Sequence, residues 1–144
     1  PFYVSTIEGF IMGATSFKNG VDGCSIDRNR KTVVSGNLTL VAGDSGKAYE
    51  VKGGTSIFTL PATAVGVVYT FFYTGVDAGG QIQVSPVAAD GIAAVGSAVV
   101  NKDLILATAT IKKGDFIKIA SGYGATGVTA WHLTDSRGVL TKEA

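Results

Sequence analysis

The stretch most suggestive of chemistry is Gly43-Asp44-Ser45-Gly46, a string that also surrounds the nucleophile of one class of serine proteases. Such a nucleophile needs a general base beside it and an acid that orients the base. The sole histidine, His132, follows Ser45 in the chain, the reverse of the order in that class, and Lys47-Ala48 replace the expected Gly-Pro. The G-x-S-x-G elbow of other hydrolases also fails, because Lys47 takes the last Gly position. We expect no catalytic residue here.

The same stretch resembles half of a phosphate-binding loop, since Gly46-Lys47 ends a glycine-containing segment. The full motif G-x-x-x-x-G-K-[ST] requires Gly at position 41 and Ser or Thr at position 48, where the chain has Val41 and Ala48. A helix must also follow, and "AYEV" is typical of a strand. What remains is a turn in which Asp44 and Ser45 bond nearby backbone and Gly46 adopts a left-handed conformation.

Metal and cofactor chemistry has no residue set to support it. His132 has no second histidine to join it, Cys24 is the single cysteine, and no carboxylates stand at ligand spacing. The aspartates do not form the D-x-D-x-D-G pattern of a calcium loop. We predict that His132 lies on a strand face opposite Trp131, and we expect neither a metal nor a cofactor.

The elements that hold these residues are β-strands. Val, Ile and Thr recur in short runs separated by Gly, Asn, Asp and Ser, and no long segment keeps a helical period. Alternation in 115–121 sets Lys118 opposite Ile117 and Ile119. We predict strands at 32–41, 47–52, 56–60, 67–74, 80–87, 103–111, 115–121 and 128–134.

These strands, spaced every 8–12 residues or so, predict an all-β fold: one antiparallel β-sandwich or barrel-like domain. Residues 1–37 are less regular, so we expect an N-terminal arm or capping segment there and the β domain over 38–144. Cys24 cannot form an intrachain disulfide, so the fold depends on packing. The N-terminus lacks the basic and apolar regions of a signal peptide.

The bulk charge excludes some partners. Twelve Lys and Arg balance eleven Asp and Glu, giving a formal charge of +1, so we expect no nucleic acid and no membrane as partner. The charged fraction is 16%, whereas about 25% is usual. Either a Thr/Ser/Gly-rich polar face keeps the protein in solution, or part of its surface is covered in an oligomer or larger assembly.

Two further groups of side chains have both a structural and a binding interpretation. Arg28, Arg30 and Lys31 form a solvated face or a surface that docks on an acidic partner. Tyr123 and Trp131 pack in the core or, if exposed, stack on sugar rings.

The region 38–138 resembles a β domain of tailed-bacteriophage virion proteins, in particular the capsid decoration, or cement, proteins. The resemblance depends on the order and spacing of stretches that are each weak alone: "LVAGDSGKAYEV", "IFTLPATAVGVVYTFFYTG", "IQVSPVAADGI", "LATATIKKGDFIKIAS" and "AWHLTDSRG". The "TAW" before the last strand departs from the commoner "GVW" or "NW". The first 37 residues match no pattern of this kind.

The resemblance implies a structural virion protein without catalysis, made in the host cytoplasm and placed on the capsid exterior. Its expected partners are the major capsid protein, whose neighbouring subunits it would bridge, and further copies of itself in a homotrimer. The arm would reach the partner and add a strand to its sheet edge. The expected contact residues are Phe2, Tyr3, Phe10, Arg28, Arg30 and Lys31. The alternative is a phage fibre or head-fibre module that binds host-surface glycans through Tyr123 and Trp131.

Overall fold

The computed structural model describes residues 31–62, 66–94, 99–122 and 126–144. The chain divides into two units, Pro1–Arg30 and Lys31–Ala144, and the described residues all belong to the second. This unit begins with a strand at Lys31, inside the segment 1–37 that was expected to be an arm. The β domain therefore begins at Lys31 rather than at residue 38, because residues 31–34 pair with a later strand.

Short strands make up this unit. They are β1 (Lys31–Val34), β2 (Leu38–Thr39), β3 (Ala48–Val51), β4 (Gly54–Thr59), β5 (Val68–Tyr73), β6 (Gly80–Ser85), β7 (Ile92–Ala93), β8 (Leu104–Leu106), β9 (Phe116–Ser121), β10 (Trp131–Arg137) and β11 (Leu140–Lys142). Single turns of 3-10 helix lie at Ala42–Asp44 and Gly127–Thr129.

The strands form two sheets, and the first six alternate between them. Sheet one has the order β1-β3-β5-β9-β10-β7, and sheet two has the order β11-β8-β6-β4-β2. From β1 to β6 the chain therefore winds as a flattened coil, in which each strand is followed by one in the other sheet. β9 and β10 then form a hairpin within sheet one, and β11 returns to the edge of sheet two.

This winding corrects the expectation of an antiparallel sandwich. The fold is all-β and sandwich-like, but both sheets are mixed. Among the described pairings, β1-β3, β3-β5, β2-β4, β4-β6 and β10-β7 are parallel, while β5-β9, β9-β10, β6-β8 and β8-β11 are antiparallel. Parallel neighbours need a crossover between them. For the four parallel pairs among β1 to β6, a single strand of the opposite sheet is that crossover.

Two predicted strands end earlier than expected or are divided. The strand predicted at 32–41 is interrupted at Gly36, whose φ of +100° suits glycine, and its two halves enter different sheets. The strand predicted at 103–111 ends at Leu106. Beyond it the chain turns, with the Thr110 and Ile111 amides both donating to the Ala107 carbonyl. The predicted alternation in β9 is confirmed, since Ile117 and Ile119 are buried and Lys118 is exposed.

The core lies between the sheets and is rich in aromatic side chains. Rings from both sheets meet there, the shortest distance being 4.4 Å between the Phe58 and Phe71 centroids. Tyr49 stacks on Phe71 at 5.8 Å, and Tyr69 stacks on Trp131 at 5.9 Å. Such pairs contribute about 0.5–1.5 kcal/mol beyond the burial of their area.

The two sheets are also joined by a polar link at the edge where β7 and β11 lie. Lys142 of β11 donates from Nζ to the carbonyl of Ile92 on β7, at 2.7 Å. Burial lowers the pKa of Lys142, although the nearby Asp103 carboxylate opposes that shift. Asp103 is itself buried and accepts a hydrogen bond from Gln83 Nε2. Lys142 thus joins the two sheets at this edge, and Asp103 holds a side chain of sheet two.

Candidate functional site

The corner around Ser45 joins β2 of sheet two to β3 of sheet one. Gly46 has a φ of +88°, which confirms the left-handed conformation predicted there. The hydroxyl of Ser45 accepts a hydrogen bond from the Val68 amide at 3.0 Å and contacts the Gly66 carbonyl at 3.4 Å. Ser45 therefore holds the start of β5 instead of bonding its own turn, because the amide at the first residue of that strand needs an acceptor.

The structure does not bring His132 to Ser45. His132 lies on β10, and Val68, Ala120 and His132 are in register on three successive strands. At about 4.8 Å between neighbouring strands, His132 lies on the order of 10 Å from the position that Ser45 contacts. His132 is exposed and Trp131 is buried, which confirms that they take opposite faces. In the described part of the chain, the hydrogen bonds of the Ser45 hydroxyl involve backbone atoms, those of Val68 and Gly66.

The charged pair at this corner affects two tyrosines in the core. Lys47 Nζ donates to Asp44 Oδ1 at 2.8 Å. Burial, together with the negative charge of Asp44, raises the pKa of Tyr49 and of Tyr69 to about 12. The Tyr69 hydroxyl donates to the Val41 carbonyl at 2.6 Å, whereas the buried Tyr49 hydroxyl has no partner among the described residues. Both hydroxyls are therefore neutral at physiological pH, and the Tyr69 hydroxyl ties β5 to the corner through its hydrogen bond to Val41.

Trp131 is fully buried, which corrects the interpretation of this side chain as an exposed sugar-binding ring. Its ring stacks on Tyr69 between the sheets, so neither face is free for a glycan. The alternation of residues placed Trp131 on the face opposite His132 but could not say which face is the inner one. Tyr123, the other predicted glycan contact, lies outside the described residues.

The predicted contacts to a capsid also lie mostly outside the described residues. Phe2, Tyr3, Phe10, Arg28 and Arg30 all precede Lys31. Lys31 itself is the first residue of β1, where it pairs in register with Ala48 of β3. These contacts therefore remain predictions.

The described surface has one feature that the sequence interpretation did not locate, the outer face of sheet two. We call it the Thr/Gln face, and it consists of residues that alternate with core residues along β2, β4, β6, β8 and β11: Thr39, Thr55, Ile57, Thr59, Gln81, Gln83, Ser85, Ile105 and Thr141. None of these side chains is charged. A sign in the sequence was the recurrence of Thr, Gln and Ser, and never Lys or Glu, at the polar positions of these strands.

The outer face of sheet one is different in character. It presents Lys118 opposite Asp135 on neighbouring strands, Arg137 at the end of β10, and Glu50 on β3, which accepts a hydrogen bond from Thr74. The shortage of charge is therefore uneven within the described sandwich. The outer face of sheet two has almost no charged side chains, and the Thr/Ser-rich polar surface suggested by the composition is found there.

Three loop segments at one end of the sandwich are also nearly free of charge. Segments 60–67, 86–101 and 121–130 contain a single charged residue, Asp90, which is buried. Their described parts meet through backbone hydrogen bonds, such as those from Ser121 to Val67 and from Gly91 to Gly127, both 2.8 Å. We call these segments the uncharged loops, and their exposed apolar side chains are Val99, Val100 and Val128. The Asp44–Lys47 and Lys102–Glu143 ion pairs lie at the same end of the sandwich.

The opposite end carries most of the loop charges. The turn at Asp77 meets the turn at Lys112-Lys113, where Asp77 accepts a hydrogen bond from the Lys113 amide at 2.9 Å and lies 3.9 Å from Lys112 Nζ. Lys52 and Arg137 end strands on this side. Charged side chains are therefore present at both ends of the described sandwich, in ion pairs at each.

The described residues contain no group of three or more His, Cys, Asp and Glu side chains placed to bind a metal ion. In the same part of the chain there is no helix long and apolar enough to cross a membrane.

Comparisons with known proteins assign the chain to no family. No protein-family model matches it, and no curated protein sequence matches it significantly.

Proposed function

We propose that this protein is a structural virion protein that decorates the outside of a phage capsid and stabilises it by bridging neighbouring capsid subunits, without catalysis. The observation that supports this best is the distribution of charge over a tightly packed β body. A wide strand face, and the loops 60–67, 86–101 and 121–130 at one end of the sandwich, carry almost no exposed charge, which suits surfaces covered by other proteins.

The positions of the stretches that resemble phage decoration proteins add support. Four of them, those beginning at Leu40, Ile57, Ile82 and Leu106, each lead from a strand of sheet two to a strand of sheet one. These stretches therefore contain the corners that set the winding of the chain. The resemblance to phage decoration proteins therefore concerns the connections between the two sheets, whose order and spacing determine the winding.

The expected partners are the major capsid protein and further copies of this chain in a homotrimer. Contacts that are weak singly would sum over a repeating lattice, since binding at several tethered sites raises the overall affinity by orders of magnitude. The N-terminal segment would supply one such contact by adding a strand to a sheet edge of the capsid protein. Docking through the uncharged loops avoids the cost of removing ions from water.

The test is cosedimentation of the purified chain with undecorated capsids of the phage that encodes it. We expect saturable binding at a fixed ratio to capsid protein, and greater resistance of the capsid to heat or chelator. A matched variant lacking residues 1–30 keeps β1 and should retain its β-sheet circular dichroism while losing most of its binding. The proposal fails if the full chain does not bind capsids. If the shortened chain still binds at full occupancy, the arm is not the contact.

A further inference from the structure

We propose that the Thr/Gln face is the surface through which two copies of this chain associate. This inference goes beyond the function proposed above, because two identical faces packed on each other form a two-fold pair, which is a different contact from those within the proposed homotrimer. The occupant that the face fits is a second copy of the same face.

The first step concerns charge. The only charged residue within the strands of sheet two is Lys142, and its ammonium group is turned to the Ile92 carbonyl of the other sheet. Asp103, beside the face, is buried and bonded to Gln83. Covering the Thr/Gln face therefore removes no exposed ion from water, which is the largest cost in burying a polar surface.

The second step concerns chemical self-complementarity. Hydroxyl and carboxamide groups each donate and accept hydrogen bonds, so a face built from Thr, Ser and Gln can satisfy an identical face in several registers. A charged face of one sign would repel its own copy. Half-buried Ile57 and Ile105 lie on either side of Gln83 in one cross-strand row, which gives the centre of the face an apolar component.

The third step concerns order. Gln83 is held in place before any partner arrives, because Nε2 donates to Asp103 and Oε1 accepts from Gln81 at 3.2 Å. Thr141 similarly contacts the Ile105 carbonyl at 3.4 Å. Side chains that are already fixed lose less rotamer entropy on association.

The size of the face sets the expected strength. Five strands about 4.8 Å apart and roughly 15 Å long present on the order of 400 Å². A stable interface buries about 800 Å² on each partner, so this face alone supports a weak, concentration-dependent association. Weak pairing of this kind is sufficient where a lattice already holds the copies close together.

The test is sedimentation equilibrium of the full chain at protein concentrations up to several hundred micromolar. Concentrations on the order of the dissociation constant of a weak interface are needed to populate the pair. Thr141→Lys puts a charge in the face, and Thr134→Lys is the matched control. Both are exposed threonines on strands, and each hydroxyl meets the carbonyl of a neighbouring strand. We expect Thr141→Lys to raise the dissociation constant about tenfold or more, because the interface must then bury an unpaired charge. Thr134→Lys, on sheet one, should change it less than about twofold.

Ile57→Lys at the centre of the face should act in the same direction and more strongly. If Ile57→Lys fails to fold, the exposed Thr141→Lys decides alone. A wild-type chain that stays monomeric throughout, or Lys variants that keep the wild-type mass, would overturn the inference. Variants that keep their mass but no longer bind capsids would also overturn it, by showing that the capsid protein covers this face. Monomeric variants that still decorate capsids would support the inference while leaving the proposed function standing.

Discussion

Replacing Tyr49 by Phe should leave the protein as stable as the wild type at neutral pH, or make it more stable. The Tyr49 ring packs between Phe58, at 5.5 Å, and Phe71, at 5.8 Å, and Phe keeps these contacts. Its hydroxyl is buried without a partner among the described residues. Because an unsatisfied buried hydroxyl costs about 1–3 kcal/mol, removing it should raise the free energy of unfolding by a similar amount or leave it unchanged.

Tyr69→Phe is the matched comparison, since Tyr69 is an equally buried tyrosine whose hydroxyl does have a partner. It donates to the Val41 carbonyl at 2.6 Å, and the loss of that bond should lower the free energy of unfolding by about 1 kcal/mol. The two substitutions delete the same atom, so the difference between them isolates the hydrogen bond.

The same tyrosines predict the response to alkali. Their pKa values are raised to about 12 in the folded protein from 10.0, so the unfolded chain loses these protons first as the pH rises. The stability that depends on them is complete below about pH 10 and is lost as the pH rises through about 12. A shift of about two units corresponds to roughly 2.7 kcal/mol for each tyrosine. Tyr49→Phe should remove about half of this loss.

Urea unfolding at about pH 7 and about pH 11 measures all of these quantities, with the single tryptophan as the reporter. Trp131 lies against Tyr69 in the core, so its fluorescence follows core opening, and circular dichroism checks that the sheets unfold together. A Tyr49→Phe protein less stable than the wild type by more than about 1 kcal/mol would refute the reasoning, since its hydroxyl would then have to hold a bond that stabilises the fold.

Three other substitutions test the remaining structural claims. Ser45→Ala leaves the Val68 amide without an acceptor and should cost about 1–2 kcal/mol in urea unfolding, while a loss of hydrolytic activity with this change would contradict a purely structural serine. Gly138→Ala should lower the melting temperature by several degrees, because φ is +114° there and the added Cβ would lie 2.7 Å from the Asp115 carboxyl; an unchanged melting temperature would show that the turn can rearrange. The pKa of Lys142 is lowered in the folded protein from its ordinary 10.5, so the free energy of unfolding of the wild type should rise as the pH approaches that value. Lys142→Met should remove this rise. A Lys142→Met protein whose free energy of unfolding changes between about pH 8 and about pH 10 as that of the wild type does would contradict this prediction.

The positions of most strands followed from local chemistry. Alternation of Ile117, Lys118 and Ile119 requires one buried and one exposed face, whatever the neighbouring strand is. The left-handed turn at Gly46 was predictable for the same reason, since the need for glycine at positive φ is a property of the residue itself. The prediction that Ser45 is not a protease nucleophile rested on residue order and needed no coordinates.

The pairing of strands did not follow from local chemistry. An alternating pattern records that one face is buried, but it contains no information on whether the adjacent strand runs in the same direction. Direction depends on which sheet the chain enters at each corner, and the stretch 32–41 was predicted as one strand although its halves enter different sheets at Gly36. The parallel pairs result from that winding.

The pairing of strands also determines which side chains are available for binding. The sequence dictates that Trp131 and His132 take opposite faces, because successive residues of a strand must, and it dictates a shortage of charge over the whole chain. Which of the two rings enters the core, and that the uncharged positions of β2, β4, β6, β8 and β11 join into one surface, depend on strands far apart in the chain meeting side by side. A surface assembled from such long-range pairings has no local sequence signature, and only the tertiary structure brings the Thr/Gln face together.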